Sequence, residues 1–157
     1  MPTETVVSCM LDHARARPES VAYHHVVGGA WREVLWRDHV GEVRRAGRAL
    51  LALGVEPGSA VGILGFNRPE WAVMASAAMA VGGAPTGIYT TSSSAEVQYI
   101  LQHAGAPVVL LEDGSQWEKV REKRAALAGL RNVVLMRGAA PVDDPMVLSW
   151  EAFLARG

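Results

Sequence analysis

The chain has 157 residues, half of them hydrophobic and a fifth charged, a length that suits one domain burying roughly two-thirds of its unfolded surface. Fifteen Lys and Arg against sixteen Asp and Glu leave a formal net charge of −1, which implies no basic face and gives nucleic-acid binding no electrostatic support. The lone Cys9 excludes an internal disulfide, the amino terminus lacks the apolar run of a signal peptide, and the longest apolar stretch, Trp71 to Gly83, is too short to cross a bilayer. The expectation is a soluble cytoplasmic protein with no transmembrane segment.

In chain order, Glu4 to Arg17 carries Val6, Val7, Met10, Leu11 and Ala14 at helical spacing, and Pro18 ends that helix. "SVAYHHVVGGAWREVLW" reads as a β-hairpin, because Gly28-Gly29 supplies the positive φ of a tight turn. A helix starts around Asp38 and runs through Val40, Val43, Ala46, Leu50 and Leu51, with Gly54 closing it. From Val55 the pattern alternates. "SAVGILGF" is a strand, "PEWAVMASAAMAV" a helix, "APTGIY" a strand and "SAEVQYILQHAG" a helix. "APVVLLED" is a strand, "QWEKVREKRAALAGL" an exposed helix and "RNVVLM" a strand, before a turn-rich tail with one short helical piece. Strands that are apolar throughout, separated by helices, require a parallel sheet covered on both faces. The fold class is therefore α/β: a partial doubly wound parallel sheet with flanking helices, preceded by a helix and a β-hairpin.

Two motifs fall where such sheets place ligands. "GFNRPEW" (Gly65 to Trp71) joins a strand to a helix, and Asn67 with Glu70 has the spacing of a capping box, with Pro69 in the first turn. Capping accounts for these residues, while the free N–H groups at that corner leave an anion-binding role open. "GIYTTSSSAEV" holds five hydroxyl residues, Thr90 to Ser94, ahead of a helix. It lacks the glycine and lysine of a phosphate loop, and Ser93 with Glu96 makes another capping box. "GGAPTG" follows a helix and precedes a strand, the reverse of a dinucleotide fingerprint. His13, His24, His25, His39 and His103 show no metal or catalytic spacing, and the five tryptophans read as core or hairpin anchors. Spacing alone identifies no catalytic site.

In combination, "VGILGFNRPEW" and "AAMAVGGAPTGIYTTSSSAEVQYILQHAGAPVVLLED" resemble the amino-terminal part of the AMP-forming acyl-activating ligases. The likeness is greatest to the long-chain fatty-acyl-CoA synthetases, including the bubblegum-type branch, and runs from about Val21 to Gly157. The resemblance implies ATP-dependent activation of a long-chain fatty acid to an acyl-adenylate, then thioester formation with coenzyme A, with Mg²⁺ neutralising the phosphates. It further implies that residues 1–157 form the amino-terminal portion of an AMP-binding domain. The phosphate loop, the Tyr-Gly-x-Thr-Glu motif, the ribose-binding Asp and the Lys of the carboxy-terminal lid would lie beyond Gly157. No catalytic, cofactor-binding or metal-ligating residue of the family can be assigned to a number here. ATP, Mg²⁺ and coenzyme A are thus expected only of the complete enzyme, and the hydroxyl run is expected near its acyl or coenzyme A channel. Alone, the chain is expected to be inactive and to self-associate through an uncovered sheet edge. A stand-alone module for a phosphate-bearing or acyl ligand, and a piece that pairs with a separate remainder, are the alternative readings.

Overall fold

The computed structural model describes residues 4–157. Helix α1 (Val6–Ala16) opens on a reciprocal cap, in which Thr5 Oγ1 accepts from the Ser8 N–H and Ser8 Oγ from the Thr5 N–H. Strands β1 (Val21–Val27) and β2 (Ala30–Leu35) form the expected antiparallel hairpin, turning on Gly28 and Gly29 at φ +58° and +79°. Helix α2 (Trp36–Ala52) begins two residues before Asp38, which lies in its first turn. Then come β3 (Ala60–Leu64), α3 (Pro69–Ala80), β4 (Ala84–Ile88), α4 (Ser94–Ala104), β5 (Val108–Leu111) and α5 (Gly114–Glu122). Strand β6 (Asn132–Leu135), β7 (Val147–Leu148) and α6 (Trp150–Leu154) complete the chain.

Strands β3 to β7 form one parallel sheet in the order β4-β3-β5-β6-β7. The fold class read from the sequence is borne out. Side-chain alternation splits each inner strand between two cores. Val61, Ile63, Val108, Leu110, Val134 and Met136 face α1, α2, α3 and α6. Leu64, Val109, Leu111, Val133 and Leu135 face the opposite way, into a second core with Val97 and Leu101 of α4 and Trp117 and Val120 of α5. Both faces are dry, which is why these strands are apolar throughout.

Three expectations change. The α5 segment stops at Glu122 and gives way to a single 3₁₀ turn, Arg124–Ala126, and Trp117 is buried, so the helix is exposed on one side only. Strand β7, two residues long, was hidden within a turn-rich tail too short to show periodicity. Trp31, read as an anchor, is 72 % exposed on the hairpin, because a two-stranded ribbon has one face with nothing against it.

Gly62 marks the tightest packing in the sheet. A Cβ there would lie 2.6 Å from Leu101 Cδ2 and 2.9 Å from Val109 Cγ2, so α4 approaches β3 through the absence of a side chain. Replacing Gly62 with Val forces Leu101 off its position. The expected loss is about 1–3 kcal/mol of stability, read as a lower urea midpoint at unchanged slope.

Candidate functional site

The sheet order places the switch point between β3, whose connection leaves toward β4, and β5, whose connection leaves toward β6. Open α/β sheets bind ligands in that crevice, outside the carboxyl ends of the strands. Here it is filled by charge pairs. Glu112, just past β5, reaches across so that its Oε2 accepts from the Phe66 N–H at 2.5 Å, and its Oε1 lies 3.4 Å from Arg68 Nη1. Arg68 Nη2 in turn donates to the Arg137 carbonyl at 2.7 Å. Gly65 makes room for this: a Cβ would lie 3.0 Å from Glu112 Oε2 and 2.6 Å from Met136 Cε.

Behind the crevice, Glu70 is 3 % exposed and its Oε1 accepts from Arg137 Nη1 at 3.1 Å. Its Oε2 lies 3.5 Å from Arg68 Nε without a hydrogen bond. Arg137 also donates to Glu42 Oε1 at 2.8 Å, and Glu42 Oε1 accepts the Trp150 indole N–H at 2.8 Å as well. Burial works against the charge on Arg137, yet its hydrogen bond to Glu42 and the negative charge of Glu42, Glu70 and Glu151 hold its pKa above the ordinary value. One arginine thus joins α2, α3, α6 and the end of β6.

The capping expectation for the first motif is corrected here. The N-cap of α3 is Arg68, which supplies no side-chain cap, and Pro69 is the first helical residue. Glu70 cannot close a box with Asn67 because Arg137 holds it inward; Asn67 is exposed instead. The second motif behaves as read. Ser93 Oγ accepts from the Glu96 N–H, and Glu96 Oε2 accepts from the Ser93 N–H at 2.7 Å. That bond, with one from the Ser93 hydroxyl, holds the Glu96 carboxyl below its ordinary range. Ser94 Oγ donates to Glu122 at 2.6 Å. Lys119, from α5, donates to the carbonyls of Thr90 and Ser92 at 2.7 and 2.8 Å. The loop has its lysine, but the ammonium fixes backbone carbonyls, so neither it nor the capped helix end is free for a phosphate.

What remains open lies one strand over. A cleft of about 440 Å³ separates the carboxyl ends of β3 and β4, with Phe66, Asn67 and Trp71 of the first motif on one side and Tyr89, Thr90 and Thr91 of the second on the other. The fold therefore brings together the two stretches that the sequence singled out. Phe66 and Tyr89 are 66 % and 84 % exposed, and Trp71 packs against Gly87. A second cleft of about 360 Å³ lies across Asn67 and Trp71, beneath the hairpin residues Tyr23, His24 and His25. His39 supports the hairpin from α2: its ring meets Tyr23 edge-on at 5.3 Å, and burial holds its pKa below the ordinary value. Among the described residues, no group of three or more His, Cys, Asp or Glu is placed to hold a metal ion.

The profile of the family described as AMP-binding enzyme matches residues 10–153. The chain belongs to the AMP-binding enzyme family. Within that family, the long-chain-fatty-acid–CoA ligase FadD15 of Mycobacterium bovis is 33% identical over 138 residues, which cover 88% of this chain and 23% of the relative. The ligase ACSBG1 of Bos taurus is 36% identical over 129 residues, 82% of this chain and 18% of the relative. The chain spans about a fifth of the length of these curated relatives. The anthranilate CoA ligase AuaEII, solved with anthranoyl-AMP, has the same fold: TM-score 0.85 over 97% of this chain and 28% of that one, at 24% identity. The resemblance to long-chain ligases of the bubblegum-type branch is borne out.

Sequence reasoning missed Arg137, Glu112 and Lys119 as structural partners of the motifs, since those contacts span 27 to 69 residues of chain, and it missed Glu42 behind them, whose bonds to Arg137 and Trp150 span 95 and 108. Tyr23 reports on the group formed by Glu42, Glu70 and Arg137. Its hydroxyl is pushed from 10.0 up to about 12, first by burial and then by the charges of Glu42 and Glu70. A raised folded value means that the neutral phenol stabilises the fold below pH 10.0, and that this contribution is lost as pH rises through about 12. Absorbance titration is expected to show one tyrosine ionising near pH 12, and Tyr23→Phe to delete that step. A titration unchanged by Tyr23→Phe at the alkaline end would contradict the assignment.

Proposed function

We propose that this chain is the amino-terminal portion of a long-chain fatty-acid–CoA ligase, acting in lipid metabolism. In the complete enzyme, ATP and a fatty acid would give an acyl-adenylate, and coenzyme A would then displace AMP to form the thioester. The observation that carries this reading is the family match over residues 10–153 together with relatives named as long-chain-fatty-acid–CoA ligases. The residues here do not fit the Mg²⁺-triphosphate part of that chemistry. Arg68 and Arg137 line a separate opening of about 740 Å³ beside the hairpin and are held there by carboxylates, and Lys119 is held by carbonyls, so no cation lines the cleft between β3 and β4. We therefore assign the adenylating groups to the remaining four-fifths of such an enzyme.

The cleft between β3 and β4 suits a different part of the substrates. Phe66, Trp71 and Tyr89 offer apolar surface with the Thr90 and Thr91 hydroxyls at one side, the lining expected for an acyl chain or the slender arm of coenzyme A. The chain's part in the proposal is to wall that channel and to fix its corner. A cytoplasmic setting belongs to the same proposal, supported by the free Cys9. Self-association belongs to it as well, supported by Trp31, Phe66 and Tyr89 left in solvent.

The test is an assay of the purified chain with palmitate, ATP, Mg²⁺ and coenzyme A. No thioester is expected, and fusion to the remainder of a long-chain ligase is expected to restore it. Thioester made by the chain alone would overturn the assignment of the chemistry elsewhere. A melting temperature that rises with coenzyme A and falls back in Tyr89→Ala would favour the stand-alone binding module.

A further inference from the structure

The opening of about 740 Å³ beside the hairpin is bordered by a buried polar atom that makes no hydrogen bond. Glu70 is one of its lining residues. The Oε1 of that carboxylate accepts from Arg137 Nη1, while Oε2 accepts nothing. Arg68 Nε lies 3.5 Å from Oε2 without donating to it. A buried acceptor left unmade is costly, so a group that enters the opening and donates to Oε2 is favoured there. The hairpin supplies the apolar part of the lining. Val26 pairs with Trp31 across the ladder, so both lie on one face, and His24, two residues before Val26, shares it. All three line the opening, and the Trp31 indole is exposed.

The groups around Oε2 restrict the ligand. Each guanidinium has five N–H donors. Arg68 uses one on the Arg137 carbonyl and one on Glu112, and Arg137 uses one each on Glu70 and Glu42, so both keep donors free. Their charge is already matched, because Glu42, Glu70, Glu112 and Glu151 lie 2.8 to 3.5 Å from their nitrogens. A free anion meets no excess of positive charge, and a cation meets two guanidinium groups beside Oε2. A hydroxyl group, uncharged, donates to a carboxylate and accepts from a guanidinium at once. We propose that this opening binds an uncharged polyhydroxylated ring, a sugar or a cyclitol. One hydroxyl donates to Glu70 Oε2, others accept from Arg68 and Arg137, and the C–H face of the ring lies on Trp31. The volume falls within the range of small-molecule sites. The opening shares only Asn67 with the cleft between β3 and β4, so this site is independent of the ligase reading.

The experiment is an NMR titration of the whole chain with D-glucose and, separately, with myo-inositol, against choline chloride and inorganic phosphate. Saturable shifts of the Trp31 indole N–H are expected with at least one of the two rings, with a dissociation constant on the order of millimolar. The tighter of the two tells a sugar from a cyclitol. Choline and phosphate are expected to bind more weakly than either. Trp31→Ala, at an exposed position, is expected to weaken binding about tenfold, followed on the remaining lining residues, at unchanged circular dichroism. Glu70→Gln is expected to weaken it by about tenfold as well. Should Glu70→Gln unfold, Trp31→Ala carries the test. Tyr89→Ala, in the other cleft, is expected to leave it unchanged. No saturable shift with either ring, or tighter binding of choline or phosphate, overturns the proposal. So does binding that Trp31→Ala or a folded Glu70→Gln leaves intact, or that Tyr89→Ala abolishes.

Discussion

The carboxylate of Glu70 is the constraint on which the rest of this fold depends. A carboxyl group at 3 % exposure needs a partner held against it, and Arg137 supplies the hydrogen bond while Arg68 lies 3.5 Å away. Because Arg137 also binds Glu42, and Glu42 binds the Trp150 indole, one charge fixes the spacing of α2, α3 and α6 around the end of the sheet. Trp150 and Phe153, both fully buried, are thereby placed at the carboxyl end of the structure without any long helix to hold them.

That arrangement also decides where a ligand can go. The crevice at the switch point contains Glu112, Arg68 and the Phe66 N–H, all bonded to one another or to the Arg137 carbonyl. Space is left between β3 and β4, where Gly87 lets Trp71 approach and Tyr89 stands in solvent. The first motif therefore serves twice. Its Gly65, Arg68 and Glu70 seal the switch point, while its Phe66, Asn67 and Trp71 wall the cleft.

The sheet was legible in the sequence because continuous apolar strands and intervening helices have one economical arrangement, and Val61 to Leu64 or Val108 to Leu111 carry that signal locally. The hairpin was legible because Gly28-Gly29 is a local turn signal, and so was the Ser93–Glu96 cap, whose partners are three residues apart. Glu70 had the same three-residue spacing from Asn67 and was misread. A partner 67 residues away outcompeted the local one, since a buried carboxylate gains more from an arginine than from an N-cap amide in solvent. The joining of the two motifs into one cleft was equally invisible, for it depends on β3 and β4 being neighbours in register, Leu64 opposite Ile88.

The central claim is that Arg137 and Glu70 act as a unit, and a double-mutant cycle of Glu70→Gln and Arg137→Met, followed by urea unfolding, measures it most directly. Arg137→Met leaves the buried Glu70 with only Arg68, 3.5 Å away and not hydrogen-bonded, whereas Glu70→Gln leaves Arg137 to Glu42 and Glu151, so the account predicts a coupling of roughly 2 kcal/mol, with the double variant less destabilised than the sum of the singles. Additivity to within about 0.5 kcal/mol would mean that Glu70 is buried for reasons unconnected with Arg137, and would contradict the account.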